Sequence, residues 1–304
     1  MNCLNEVGEC NKFGIFEVFL MTKKNVIEIS VVSNESKEEL YSHLISSGFN
    51  EKAFEIVVNT KGIKPCTDIY ARPGDRVYQW SKDGKDRNSS IATITCNATK
   101  GTTKGFITVL HALWHVPTPN LPLGTYEQSC DTDVYDYTWG KNTDSLFVPL
   151  SSGYSGVTGL IDNSNLYGNT KYQIASYVTS SNDYDELVGM PVKIFGKTTG
   201  LITGEVISLE GSIDYKGLSD YTSKYRGTIN NCVRVQLDSP NNKLDGNSGG
   251  PVCYDTGNTI NSIPQLKLYA MFASFSDDGK YVSCPRISNI ISELGLTSIS
   301  IGTN

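Results

Sequence analysis

Short apolar runs set the rhythm of this 304-residue chain, and they change character along it. Residues 1–24 carry Phe13, Ile15, Phe16, Phe19 and Leu20, an apolar patch without caps that reads as the remnant of a helix. Val26–Val32 is rich in β-branched residues and alternates in its first half, the pattern of a strand. Ser36-Lys37-Glu38-Glu39 follows, with Ser36 as N-cap and Glu39 three residues on, a capping box that opens a helix through about Ser47. Leu40, Leu44 and Ile45 give that helix its apolar stripe, and His43 among them reads as a helix-surface residue. Phe54–Val58 is a second strand. Such a β-α-β unit of about 35 residues is too small to stand comfortably alone. Gly62 to about Ser90, dense in Gly, Pro, Lys and Asp, reads as a polar connector of the kind easily cut.

Beyond it the apolar runs are short and strand-like: Ile91–Cys96, Gly105–Leu110, Leu146–Leu150, Tyr172–Val178, Pro191–Phe195, Glu205–Leu209, Cys232–Leu237 and Leu266–Phe272. Many short strands with Gly, Asn, Asp and Ser between them, and no helical periodicity, indicate an all-β barrel or sandwich. Arg286–Leu296 breaks the rhythm: Ile287, Ile290, Ile291 and Leu294 lie three and four apart, an amphipathic C-terminal helix.

Composition narrows the classes. The chain is 38% hydrophobic and 19% charged, with 28 Gly and 17 Tyr, as a globular β protein would be. A net charge of −6 argues against nucleic acid, which would want a basic face. No apolar stretch is long enough for a transmembrane helix. The eight Cys form no Cys-x-x-Cys pair and only three His accompany them, so no metal site is expected. Their even number suits disulfides and an oxidising compartment, as do sequons at Asn34, Asn88 and Asn97. Met1-Asn2-Cys3-Leu4-Asn5-Glu6 is not a signal peptide, so a secreted protein whose start is missing is the expectation.

The chemistry concentrates in Asp245-Gly246-Asn247-Ser248-Gly249-Gly250-Pro251-Val252. A Ser flanked by Gly on a tight turn exposes its hydroxyl and frees backbone N–H groups to meet what that hydroxyl attacks. Ser is a weak nucleophile without an oriented base. His111 directly follows the apolar run Gly105–Leu110, where a strand end would project it into a cleft; His115 competes for the role. The orienting carboxylate belongs at the start of a buried strand, and Asp144, ahead of Leu146, Val148 and Leu150, fits. Asp131, Asp133 and Asp136 lie in a polar, Tyr-rich loop and read as solvated.

These segments resemble the chymotrypsin-like serine proteases, specifically the streptogrisin and α-lytic branch. Gly-Asn-Ser-Gly-Gly-Pro matches the nucleophile motif, Gly105-Phe106-Ile107-Thr108-Val109-Leu110-His111 the histidine motif, and Gly196-Lys197-Thr198-Thr199-Gly200 a Gly-x-Thr-Thr-Gly hairpin. The His…Asp…Ser order is that of the family. The resemblance implies two antiparallel six-stranded β-barrels, about 77–180 and 181–285, and a closing helix at 286–296. It implies a pro-region at 25–65, removed within 66–76, and leaves 1–24 unassigned. It further implies a monomeric, cofactor-free endopeptidase acting on protein or peptide substrates, with Gly246 and Ser248 N–H groups as oxyanion donors. Asn242, Ala273, Ser274 and Phe275 fall on its specificity pocket. Three departures stand out: Ala112 where a Cys usually braces the His, Asn247 where Asp is usual, and Phe275 at or near a Gly that keeps the pocket open. Ala112 and Phe275 motivate a rival reading, a catalytically inactive homologue acting as a binding protein.

Overall fold

The computed structural model describes residues 13, 15–21, 26–31, 33–58, 70–81, 85–114, 122–125, 130, 137–150, 156–162, 170–214 and 228–302. The chain forms two compact units, Met1–Thr67 and Asp68–Asn304.

In the first unit, Ile15–Met21 is a strand antiparallel to Val26–Val31, which runs parallel to Phe54–Val58. The helix expected near residue 15 is therefore a strand, because a neighbouring β edge was there to pair with its apolar patch. The crossover helix spans Asn34–Ser46, and its N-cap is Ser33, whose side chain accepts from the Ser36 N–H. Ser36 is thus inside the first turn and not the cap. Leu40 and Leu44 pack with Phe13, Ile29, Val31, Phe54 and Ile56, while Ile45 faces out at 40% exposure.

The second unit is built from sheets. The largest has nine strands in the order Leu160–Ile161, Tyr172–Tyr177, Ile263–Met271, Pro251–Ile260, Pro191–Gly196, Gly200–Asp214, Thr228–Leu237, Tyr281–Pro285, Ser274–Phe275. A five-stranded sheet runs Thr138–Gly140, Ser145–Pro149, Thr103–Val109, Cys96–Lys100, Ser298–Ile299. Arg87–Thr93, Arg76–Trp80 and Leu123–Gly124 make a third sheet. Gly156–Val157 runs parallel to Tyr70–Ala71 as a two-stranded ladder. The ladders of the described residues in this unit therefore group as nine, five, three and two strands, and do not by themselves divide into two six-stranded barrels. The supposed connector is partly core: Val77, Tyr78, Gln79 and Trp80 are buried in a strand. Helix Ile287–Leu294 closes the unit on Ile287, Ile290 and Leu294 and stops at Gly295, which takes a left-handed φ of 64°.

Cys96, Cys232, Cys253 and Cys284 are buried free thiols, against the disulfide expectation. Burial pushes the Cys232 thiol up to about 12, so these side chains behave as small hydrophobes. Even parity counted the residues but said nothing of their separation. Cys3, Cys10 and Cys66 lie outside the described residues. The Asn97 sequon is no acceptor: Asn97 is fully buried, with its amide donating to the carbonyls of Ala71 and Thr158.

Candidate active site

Strand Thr103–Val109 pairs with Ser145–Pro149 in a register that sets Val109 opposite Ser145. That ladder end brings together His111, two residues beyond Val109, and Asp144, one residue before Ser145. His111 Nδ1 lies 2.5 Å from Asp144 Oδ2, and the His111 backbone N–H donates to Oδ1 at 2.8 Å. Asp144 has no exposed surface and His111 only 5%. Both carboxylate oxygens thus contact one histidine, an arrangement that favours the tautomer with its proton on Nδ1. Asp144 reaches this position with φ 48°, a left-handed conformation that a non-glycine residue adopts only when its surroundings over-determine it. They do. The Leu110 N–H donates to the Asp144 carbonyl at 2.9 Å. Glu293, from the C-terminal helix, accepts from Asn142 N and Nδ2 at 2.8 Å and from Thr143 Oγ1 at 2.7 Å. Gly140 is required as well, since a Cβ there would meet Ser145 Oγ at 2.2 Å.

Ser248 sits on a turn fastened to the same strand system. The Thr93 N–H donates to the Ser248 carbonyl at 2.8 Å, Thr93 Oγ1 to the Gly246 carbonyl at 3.1 Å, and Thr95 Oγ1 to the Gly249 carbonyl at 2.6 Å. Thr108, three residues before His111, holds Thr93 in turn through its hydroxyl at 2.8 Å. The approach is so close that a Cβ on Gly249 would fall 2.1 Å from the Thr93 carbonyl and 2.7 Å from Thr108 Oγ1. The N–H groups of Gly246 and Ser248 have no hydrogen-bond partner among the described residues, which leaves both available to an oxygen. The Ser248 hydroxyl itself donates to the Ala273 carbonyl at 3.4 Å, not to His111. That distance is at the weak limit of a hydrogen bond.

Asn247 is fully buried beneath the turn. Its Oδ1 accepts from Thr198 N at 3.0 Å and Thr199 N at 3.3 Å, and its Nδ2 donates to Thr199 Oγ1 at 2.6 Å. A neutral amide can both give and accept here, so Asn replaces Asp without burying a charge. Lys197, on the same hairpin, is 8% exposed and donates from Nζ to the Ser90 carbonyl at 2.9 Å. Burial, with Arg76 adding repulsion, lowers its ammonium to about 8.

Of the expected pocket residues, Asn242 is exposed, Ala273 is buried and Ser274 is half-buried. Phe275 lies opposite Val282, which lies opposite Val235, which lies opposite Val206. This row shares one face of the sheet, and its three valines are fully buried. The Phe275 ring therefore joins the core side, two residues from the carbonyl that holds Ser248. His115, Asp131, Asp133 and Asp136 lie outside the described residues. Reading the sequence alone missed Thr93, Thr95, Thr108 and Glu293, none of which carries a local signal.

No family model matches the sequence, and no curated protein does. Among solved structures the chain is similar to Thermobifida fusca protease A, with TM-score 0.50 and 19% identity over 77% of this chain and 100% of that one. Cellulomonas bogoriensis chymotrypsin aligns with TM-score 0.49 and 17% identity, over 78% of this chain and 100% of its own. At such identities a likeness speaks for architecture alone, and the case rests on the first of these. The chain has a predominantly β fold similar to that of Thermobifida fusca protease A.

Proposed function

We propose that the chain is a serine endopeptidase of the chymotrypsin-like kind. Ser248 Oγ attacks the scissile carbonyl while His111 Nε2 takes its proton. The oxyanion settles on the N–H groups of Gly246 and Ser248. Collapse expels the amine, which leaves with the proton from His111, and water then repeats the sequence on the acyl-enzyme. Asp144 keeps the imidazole in the tautomer that can accept. The observation that carries this reading is the doubly bonded, buried His111–Asp144 pair at the ladder end. The Ser248 hydroxyl is held only by the weak Ala273 contact, and catalytic hydrogen bonds commonly tighten only with substrate bound.

The finer reading is a zymogen. The Met1–Thr67 unit is its pro-region, the cut falls within 66–76, and the mature enzyme is a secreted monomer acting on protein or peptide substrates. The division between compact units, at Thr67 and Asp68, supports this placement. The rival, a binding protein on the same fold, draws on the Ser248–Ala273 contact and on Phe275. A fluorophosphonate probe decides between them. We expect labelling of chain cut within 66–76 and none of Ser248→Ala. Folded, cut protein that does not label would replace the enzyme with the binding protein.

A further inference from the structure

Lys197 has no part in the chemistry above, and yet it places a titratable cation inside the protein. A Cβ built on Gly246 would lie 2.5 Å from Lys197 Cε and 2.7 Å from Nζ, so the ammonium rests directly against that glycine. Only glycine, at φ 85°, allows the approach. The ammonium gives one hydrogen bond, to the Ser90 carbonyl, and forms no ion pair among the described residues. Among the described residues, the elements packed around it add no counter-charge. Strand Arg76–Trp80 brings a second cation, Arg76, while strand Arg87–Thr93 brings the Ser90 carbonyl. The hairpin's own Thr198 and Thr199 are neutral, and on the turn before Ser248 the one carboxylate, Asp245, is solvent-exposed. A buried cation without an anion is costly, so it is informative where one is kept.

We propose that Lys197 is a positioning residue of the oxyanion-binding turn, its ammonium holding Gly246 in place and supplying positive potential where negative charge develops on the substrate oxygen. The proposal rests on the endopeptidase reading. Its missing anion is the transient oxyanion, which exists only during turnover.

Two consequences separate this from a packing role. The cation is needed, and it loses its proton near pH 8, so reactivity should fall as pH rises through about 8. The folded state also holds the proton less tightly than the unfolded chain, whose lysine titrates near 10.5. Below about 8 both states are charged and the full burial cost is carried; between 8 and 10.5 the folded state discharges first and stability rises. Lys197→Met should therefore be more stable than wild type at pH 7, an advantage that shrinks towards pH 10.

The experiment measures fluorophosphonate labelling rate and Tm from pH 6 to 10 in the cut protein, its Lys197→Met and Lys197→Arg forms, and Ser248→Ala as blank. We expect Lys197→Met to label about tenfold more slowly at pH 7, without the fall near pH 8, and to melt higher. Lys197→Arg should keep the neutral rate and move the fall upward. A wild type that labels beside a Lys197→Met that labels equally fast overturns the role of Lys197 alone. A Lys197→Met that melts lower at pH 7 does the same, by showing a structural lysine. Absence of wild-type labelling at Ser248 overturns the endopeptidase reading together with this role.

Discussion

The two halves of the candidate site are held by opposite means. On one side the base and its acid are fixed by charge: a buried carboxylate grips His111 twice, and Glu293 grips the turn that carries the carboxylate. On the other side the Ser248 turn is fixed almost without charge, by glycines, threonine hydroxyls and the Asn247 amide. The difference follows from what each half must do. The imidazole needs one tautomer and a stabilised cation, which a carboxylate supplies, whereas the turn must keep N–H groups unspent for a substrate oxygen. Neutral fastening below the turn leaves the positive potential at Gly246 uncancelled.

Substitutions can test this contrast. The largest effect is expected from Asp144→Asn, which preserves shape but reverses the tautomer: labelling or peptide hydrolysis should drop about 10⁴-fold with the fold intact by circular dichroism. A smaller loss would mean that the carboxylate mainly builds the turn. Next is Gly249→Ala, which meets the Thr93 carbonyl at 2.1 Å in a backbone of φ 92° and should cost about 3 kcal/mol or more in denaturant titration. Asn247→Ala takes the acceptor from the part-buried N–H groups of Thr198 and Thr199, and about 1.5 kcal/mol of stability should go with it. An unchanged midpoint would refute the neutral-fastening account. Glu293→Ala is the mildest, costing about 1 kcal/mol and slowing labelling several-fold by letting the Asp144 turn relax.

What the sequence revealed is what local chemistry dictates. Ser248, His111 and Asp144 each stand beside an apolar run or a glycine pair that announces a strand end or tight turn, and the strands after Ile91 show as short apolar runs between turn residues. The positive φ of Asp144 is invisible because it is imposed by Glu293, bonded to Asn142 across 151 residues. Thr93 and Thr108 look like ordinary β-branched strand residues until Gly249 packs on them. Lys197 occupied the variable position of a hairpin motif, where nothing local betrays burial. Phe13, Ile15, Phe16, Phe19 and Leu20 suited a helix as well as a strand, and pairing with Val26–Val31 decided it. The cysteines failed for the same reason, since pairing depends on distances that a count does not contain.

The threonine contacts to Gly246 and Gly249 span 153 and 154 residues, so they close some of the longest loops in the chain. Contacts of such separation reward the chain only after the intervening sheets exist, because the entropy of closing the loop is spent first. In refolding, the Ser248 turn should therefore be among the last structures to order, well after the hairpins of the nine-stranded sheet. The nucleophile would then gain its reactivity only in a finished molecule, and an incompletely folded chain would carry the serine without the means to use it.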